Sequence, residues 1–285
     1  MTYDALLRDA AVALAAAGID NVRFEARLLL GRAAGLAAEQ LIARGAEPAP
    51  AGVAQRLREL TARRVLREPM AYILGEREFW GLPFKVSPAV LVPRPDSETR
   101  IEAALALMPD RQRPWRILDL GLGSGCLLLT LLREYPAASG VGLELSAEAL
   151  AVAQANAQAL GVDARARLVA GDWRQSDWHR RLGGPFDLLV SNPPYIEAGE
   201  IDQLMPEVAR FEPRLALDGG PDGLAAYHAI ASAAPALTVP GGRILVEVGE
   251  GQAPEISKLF AAEGLTMESP WKDLAGIDRV VSGKH

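Results

Sequence analysis

The sequence predicts a doubly wound α/β fold with a mostly parallel sheet, preceded by a small all-helical region. Short apolar runs of strand length alternate with helical stretches from Trp115 onward. The first of these runs ends in a Gly-rich turn that leads into a helix. Residues 1–75 hold helically spaced apolar positions and too few strand formers for a sheet. We therefore expect domains at 1–75 and 113–285, joined by a hairpin and connecting helix at 76–112.

The N-terminal region predicts a small bundle of helices. Leu6, Leu7, Val12 and Leu14 follow a helical spacing, and Gly18 is a suitable stop. The region carries ten Arg and no Lys against eight acidic residues, whereas the remainder carries 20 basic and 28 acidic residues. This asymmetry supports two regions of different character. Further helices are expected at about 24–30 (ended by Gly31 or Gly35), 36–43 and 53–65.

Residues 76–112 predict a hairpin followed by an ordered linker. Two short extended runs, 79–80 and 83–86, flank a turn at Gly81. Three prolines between positions 88 and 95 exclude a helix there. A helix is expected to begin near Ser97 and to run to about Met108.

The remaining chain predicts alternating strands and helices, which is typical of a parallel sheet covered on both faces. No internal repeat interrupts this order. Strands are expected at 116–120, 141–145, 166–170, 187–190, 243–248 and 279–281, and helices at 126–134, 147–160, 223–234 and 256–263.

The composition excludes several classes of protein. With 285 residues, 49% of them hydrophobic, the chain can bury a substantial core. The net charge of -6 disfavours non-specific nucleic-acid binding. The single cysteine, Cys126, excludes an internal disulfide and a Cys-rich zinc site, and the three histidines lack metal-ligand spacing, so no metal is expected. The sequence shows neither a signal peptide nor a membrane-spanning run, so we expect a cytoplasmic protein without a membrane partner.

The Gly-rich turn after the first predicted strand is a candidate ligand site. It comprises Gly121, Leu122, Gly123, Ser124 and Gly125, and it opens a helix. Such turns let the backbone approach a ligand closely. Glu144 ends the next strand, 19 residues after Gly125, where a carboxylate is expected to hold ribose hydroxyls. The pattern favours a nucleoside-type ligand over the alternative, a tight turn with a surface glutamate.

A second candidate site follows the fourth predicted strand at Asn192, Pro193, Pro194 and Tyr195. Consecutive prolines hold the backbone extended and leave their carbonyls without a local partner. Asn192 offers a carbonyl acceptor and Tyr195 a flat ring. The group suits a planar NH2, whose hydrogens the Asn192 side chain and the Pro193 carbonyl accept. The alternative is an Asn-capped Pro-Pro turn.

The run from Asp119 to Gly125 resembles the first motif of class I methyltransferases, and its spacing differs from the dinucleotide pattern G-x-G-x-x-G. The resemblance implies S-adenosylmethionine as cofactor and S-adenosylhomocysteine as product. It places the Gly-rich turn beside the methionine moiety and Glu144 on the ribose. Asp172 resembles the reader of the adenine amino group, with Trp173 beside the ring, and Asn192 also contacts the cofactor. Trp173 by itself reads as a core aromatic.

Longer motifs narrow this resemblance further. They are REPMAYILG at 67–75, FWGLPF at 79–84, VPRPDSE at 92–98, FEPR with ALDGG and DGL between 211 and 224, and EVG with Gln252 from 247. Together they resemble the release factor glutamine methyltransferases, over roughly residues 67–281. Leu122 stands where that family usually has Thr, and Glu144 where it has Asp. Both departures leave the cofactor unchanged.

The resemblance implies methyl transfer to the glutamine amide of the Gly-Gly-Gln motif in bacterial release factors. Asn192, Pro193, Pro194 and Tyr195 then bind the substrate and catalyse the transfer, and residues 1–75 recognise the factor. We expect a monomer that binds no nucleic acid. The alternatives are a glutamine methyltransferase of a ribosomal protein and, less favoured by charge, an amino-group methyltransferase of a nucleic-acid base.

The sequence leaves the roles of several charged side chains undecided. An Arg-rich stretch between Arg56 and Arg67 suits either an acidic partner or a solvated helix face. Arg94 suits either an anion or packing against the sheet. Glu98 is equally undecided.

Overall fold

Helices form where apolar residues recur at helical spacing, and the computed structural model describes residues 1–285 throughout. None of the helices combines the length and hydropathy needed to cross a bilayer. The helices are α1 (Tyr3–Ala16), α2 (Val22–Ala34), α3 (Ala38–Ala43), α4 (Val53–Val65), α5 (Met70–Leu74), α6 (Glu98–Leu107), α7 (Cys126–Glu134), α8 (Ala147–Ala159), α9 (Pro206–Phe211), α10 (Ala225–Leu237) and α11 (Ala253–Ala262).

The strands form a two-stranded hairpin and one large sheet. Short 3-10 turns connect several of them. The strands are β1 (Glu76–Phe79), β2 (Leu82–Lys85), β3 (Arg116–Leu120), β4 (Ser139–Glu144), β5 (Ala166–Ala170), β6 (Phe186–Ser191), β7 (Thr238–Glu247), β8 (Thr266–Met267), β9 (Trp271–Lys272) and β10 (Asp278–Lys284).

The chain divides into two compact units, residues 1–75 with 205–211, and residues 76–204 with 212–285. The smaller unit is helical and has its own core, in which Leu14, Leu29 and Leu30 are at most 1% exposed. The predicted helices are confirmed. The short α5 was missed because five residues carry too little periodicity to indicate a helix.

Most arginines of the Arg-rich stretch are used inside this unit. Arg63 pairs with Glu68, and Arg64 pairs with Glu25 at 2.7 Å. Both Arg64 and Arg67 lie 2.9 Å from Glu207 of α9, which ties that segment to the helical unit. The stretch is therefore largely an internal ion-pair network and not a solvated row of charges.

The larger unit is built on a sheet of order β5-β4-β3-β6-β7-β10-β8, with β9 paired to β10. Strands β3 to β7 are parallel, and β10 is antiparallel to β7. Successive residues of β6 point to opposite faces: Leu189 joins one core cluster, while Leu188 and Val190 join the other. Because both faces are covered, the middle of the strand, Leu188–Val190, is continuously apolar, as the sequence indicated.

The predicted hairpin forms from β1 and β2, with Phe79 edge-on to Phe84. Trp80 occupies the turn with φ of 53°, and its backbone N–H donates to Glu98 at 2.8 Å. Glu98 therefore stabilises the hairpin turn from the first residue of α6. This hydrogen bond gives Glu98 the structural role that the sequence left undecided.

The sheet order reverses beside β3, which pairs with β4 on one side and β6 on the other. Loops after neighbouring strands diverge at such a switch point and leave a crevice at the carboxyl ends of the strands. The Gly-rich turn follows β3, and Asn192 follows β6. The topology thus brings the two predicted motifs to one crevice.

Candidate active site

A cavity of about 440 Å³ opens at the carboxyl ends of β3, β4, β5 and β6. It brings most of the predicted site residues together. Gly125, Pro193 and Tyr195 lie outside its lining. The predicted residues that line it are Gly121, Leu122, Gly123, Ser124, Glu144, Asp172, Trp173, Asn192 and Pro194.

A side chain on Gly121 would crowd the neighbouring Trp173 ring. The φ of this glycine is 79°, and a Cβ there would lie 3.2 Å from Cη2 of Trp173. The same Cβ would lie 3.7 Å from the backbone carbonyl of Asn192. Glycine therefore lets the turn after β3 meet both the Trp173 ring and the turn after β6.

The carboxylate of Glu144 accepts three backbone hydrogen bonds. Gly123 donates to one oxygen at 2.8 Å, and Leu145 and Ser146 donate to the other at 2.8 and 2.9 Å. A carboxylate has about four acceptor positions. Glu144 thus holds the Gly-rich turn through these hydrogen bonds. About one acceptor position remains for a ligand, so the predicted contact with ribose is limited to about one hydrogen bond.

Asp172 lies in a fork formed by Arg174, a residue that sequence reasoning missed. Nη2 of Arg174 lies 2.8 Å from one carboxylate oxygen, and Nε lies 2.9 Å from the other. The backbone N–H of Arg174 also donates to Asp172. The hydrogen bond from Arg174 lowers the pKa of Asp172 below its ordinary value. The feature of the sequence that could have identified Arg174 is its position, two residues after Asp172.

The Asn192 side chain is half-buried, lines the cavity and makes no hydrogen bond within the chain. The start of the turn is anchored to β3, because the hydroxyl of Ser191 donates to the carbonyl of Leu120 at 2.6 Å. Pro193 is buried, and its carbonyl likewise accepts no bond from the chain. Two acceptors with unused capacity are therefore held next to each other.

Tyr195 points away from the cavity lining and packs against the sheet core. Its hydroxyl donates to Glu247 at 3.3 Å, and its carbonyl accepts from Gln252 at 3.2 Å. Burial, with a smaller effect of the Glu247 charge, raises the pKa of Tyr195 to about 12. The structure gives Tyr195 an anchoring position, and the stacking predicted for its ring stays a prediction.

The segment at 217–223, part of the longer motif seen in the sequence, supports this turn. Ile196 donates its N–H to the carbonyl of Leu217 at 3.0 Å, and Gly219 donates back to the Ile196 carbonyl at 2.8 Å. A Cβ on Gly223 would lie 2.4 Å from the carbonyl oxygen of Tyr195. Glycine is required there because the two backbones are in contact.

Arg94 pairs with Glu212, so the VPRPDSE and FEPR motifs meet in the structure. The backbone N–H of Val92 also donates to Glu212, at 3.2 Å. Burial raises the pKa of Glu212, and the Arg94 charge opposes this shift. Arg94 lines the cavity, but its guanidinium is already bonded to a buried acid.

A buried ion pair lies beside the cavity, which Arg100 and Ser97 line. Arg100 lies 2.5 Å from Glu247, which also accepts the hydroxyl of Ser97 at 3.0 Å. Nearby, burial raises the pKa of Asp119 to about 8, against the opposing charge of Arg100. Sequence reasoning missed Arg100, because an arginine early in a helix is usually exposed.

The sheet and its crevice, with a Gly-rich turn and an Asn-Pro-Pro-Tyr turn at one edge, define an α/β methyltransferase. The family model described as methyltransferase small domain matches residues 97–210. A methyltransferase of known structure from Pyrococcus furiosus is similar in fold. Its TM-score is 0.53 at 15% identity, over 81% of this chain and 97% of that one. The predicted fold class is confirmed.

Two relatives identify the family within this class. The chain is 47% identical to the release factor glutamine methyltransferase of Bradyrhizobium diazoefficiens, over 97% of this chain and 93% of that protein. It is equally identical to that of Cereibacter sphaeroides, over 98% and 96%. The family model described as PrmC N-terminal domain matches residues 5–75. The chain belongs to the release factor glutamine methyltransferase family, so the resemblance found in the sequence is confirmed.

Proposed function

We propose that this chain transfers a methyl group from S-adenosylmethionine to the side-chain amide N5 of the glutamine in the Gly-Gly-Gln motif of bacterial peptide chain release factors. Family membership over nearly the whole chain supports the activity. The observation that carries the chemistry is the Asn192 amide, which lines the cavity without a hydrogen bond in the chain. The acceptor and donor atoms of this side chain are therefore available to a ligand in the cavity.

The residues around the cavity fit the cofactor. The missing Cβ of Gly121 leaves room beside the Trp173 ring, and the volume of about 440 Å³ is typical of a small-molecule site. We assign the Gly121–Gly125 turn to the methionine moiety, Glu144 to the ribose, and Asp172 with Trp173 to the adenine. When bound, S-adenosylmethionine supplies a methyl group on a positively charged sulfur, and S-adenosylhomocysteine remains after transfer.

Asn192 and Pro193 orient the amide that receives the methyl group. The side-chain oxygen of Asn192 accepts one N–H of the glutamine amide, and the Pro193 carbonyl accepts the other. Both bonds strengthen as positive charge develops on the nitrogen, so they favour the transition state over the ground state. Holding the reacting atoms in line contributes up to roughly 7–11 kcal/mol in ideal intramolecular cases. Pro194 and Tyr195 keep the turn in place, and no metal takes part.

The helical unit is proposed to recognise the body of the release factor. It exposes large apolar side chains, with Phe24 62% and Leu66 70% exposed. We take these two side chains as candidate contacts for the protein partner. Phe24→Ser is expected to raise KM for the intact factor and to leave KM for a short Gly-Gly-Gln peptide unchanged. An equal change for both substrates would contradict this role.

Two other substrates are weaker candidates. A ribosomal protein would present the same glutamine amide, and a nucleic-acid base would require a basic track on a chain whose net charge is -6. The names of the relatives favour release factors. A monomer acting in the cytoplasm remains part of the proposal.

Labelled S-adenosylmethionine distinguishes these substrates directly. The enzyme is incubated in parallel with purified release factor, ribosomal protein, tRNA and DNA. We expect label in the release factor alone, and none in a factor whose motif glutamine is replaced by glutamate. Label in that variant, or stronger labelling of another substrate, would contradict the proposed function.

A further inference from the structure

A second cavity lies at the opposite, amino ends of the parallel strands. Its volume is about 780 Å³, and its wall includes Arg116, Ser139, Ala166 and Phe186, the first residues of β3, β4, β5 and β6. The methyl-transfer site uses the carboxyl ends of the same strands. Four arginines line this second cavity: Arg116, Arg165, Arg167 and Arg181.

These arginines lack the acidic partners that most other arginines of the larger unit have. None of the four guanidinium groups forms an ion pair with a carboxylate. The nearby Asp187 accepts the backbone N–H of Arg116 at 2.9 Å and lies 3.6 Å from the guanidinium of Arg113. Burial lowers the pKa of Arg165, and the neighbouring charge of Arg133 lowers it further. Six arginines of the larger unit have no acidic partner, and four of the six line this cavity; the six are Arg77, Arg116, Arg133, Arg165, Arg167 and Arg181.

Backbone carbonyls hold three of the four guanidinium groups in place. Arg116 donates to Pro185 at 2.8 Å and to Gly183, and Arg167 donates to the adjacent Leu182. Arg165 donates to Ala138 at 2.6 Å. Arg165 also donates to Tyr135 and Leu132, so most of its donors are used within the chain. Each guanidinium has five N–H donors, and the bonds above leave most of those of Arg116 and Arg167 for a ligand. Little side-chain entropy remains to be lost when these groups bind a ligand.

We propose that this cavity binds a small anion carrying two or more phosphate groups, such as pyrophosphate or the polyphosphate of a nucleotide. Arg116 donates to the carbonyl of Gly183 and Arg167 to that of the preceding Leu182, so both guanidinium groups reach the same short segment, where linked phosphates could engage both. Arginine is suited to phosphate because its planar fork donates two parallel hydrogen bonds. A ligand of this charge also relieves the repulsion among unpaired cations in an otherwise acidic chain.

The proposal is independent of methyl transfer, since the two cavities lie at opposite ends of the sheet. Titration calorimetry of the full chain with pyrophosphate, at low ionic strength and with S-adenosylhomocysteine saturating the first cavity, tests it. We expect binding to one site, weakened as salt rises. Inorganic phosphate is expected to bind at least tenfold more weakly. ATP in a parallel titration shows whether the nucleoside adds affinity.

Matched variants locate the site. Arg181 makes no hydrogen bond or ion pair, and Arg167 is exposed, so Arg167→Gln/Arg181→Gln is expected to fold normally. We expect this variant to bind pyrophosphate at least tenfold more weakly, whereas Arg77→Gln binds it like the unmodified chain. Absent binding, an equal loss in Arg77→Gln, or full affinity in the double variant would overturn the proposal, and unfolding midpoints confirm that each variant is folded.

Discussion

The guanidinium of Arg100 lies 2.5 Å from the carboxylate of Glu247, and the two side chains are only 1% and 4% exposed. Glu247 ends β7, next to the end of β6, so it faces the Asn192–Tyr195 turn. Its two oxygens accept the hydroxyls of Ser97 and Tyr195. One buried ion pair thus joins the start of α6 to the turn that carries the proposed chemistry.

Removal of Arg100 is expected to destabilise the fold strongly. In Arg100→Leu, Glu247 remains as a buried charge without its counter-ion, at a cost of about 3–5 kcal/mol. The free energy of unfolding in urea measures this loss. Arg100→Leu/Glu247→Gln serves as the control, because it removes both charges and is expected to recover part of the stability. A loss below about 1 kcal/mol in the single variant would show that the pair is not coupled.

Asn192→Ala is expected to reduce kcat by about 10²–10³-fold, the scale of removing one group that stabilises developing charge. Single-turnover kinetics with a release factor separate this step from binding. Calorimetry with S-adenosylhomocysteine is expected to show much less change, since several other residues line the proposed cofactor cavity. If methyl transfer persists and only cofactor affinity falls, the acceptor role of Asn192 is wrong.

Tyr195→Phe tests the anchoring of the turn. The hydroxyl bond to Glu247 is lost while the ring remains, and we expect a loss of about 1 kcal/mol in stability together with a several-fold lower kcat. Tyr227→Phe is a matched control, because its buried hydroxyl donates at 2.7 Å to the backbone carbonyl of Glu247. Tyr227→Phe is expected to lose a similar free energy of unfolding and to keep the kcat of the unmodified chain. Equal kcat losses in both variants would indicate a general structural effect.

Glu144→Ala is expected to weaken binding of S-adenosylhomocysteine by about 1–3 kcal/mol, the cost of leaving polar groups unpaired. The same change removes the acceptor for Gly123, Leu145 and Ser146, so the thermal midpoint of the ligand-free protein is expected to fall as well. Glu144→Gln keeps one carbonyl acceptor, so its affinity and its thermal midpoint are expected to lie between those of the unmodified chain and those of Glu144→Ala. Calorimetry and thermal unfolding measure both effects, and unchanged affinity would rule out the ribose assignment.

Asp119 predicts a dependence of stability on pH. Burial raises its pKa to about 8 in the folded chain, so between roughly pH 4 and pH 8 the folded state holds a proton that the unfolded state has lost. Stability due to this group therefore falls as pH rises through that window. Asp119→Asn is expected to flatten the profile, measured as unfolding free energies from pH 5 to pH 8. If the unmodified chain and Asp119→Asn show parallel profiles of unfolding free energy against pH, the raised pKa of the buried Asp119 is contradicted.

Much of the fold could be predicted because its signals are local. The helical spacing in 53–65 and the apolar run in 116–120 depend on backbone period alone, and both elements form with the predicted bounds. The strand-to-glycine order after β3 and the rigid Pro193-Pro194 pair likewise depend on neighbours in sequence. Parallel topology then brings the Gly-rich turn and Asn192 to the same end of the sheet.

The pairing of side chains depended on tertiary structure. The hydrogen bond from Gly123 to Glu144, the burial of Arg100 against Glu247 and the bond from Tyr195 to Glu247 each join segments far apart in the sequence. The same holds for the arginines gathered at the amino ends of the strands, which come from separate elements. Local patterns determine periodicity and turns, but strand register and helix packing decide which polar atoms meet, because each such contact spans tens of residues.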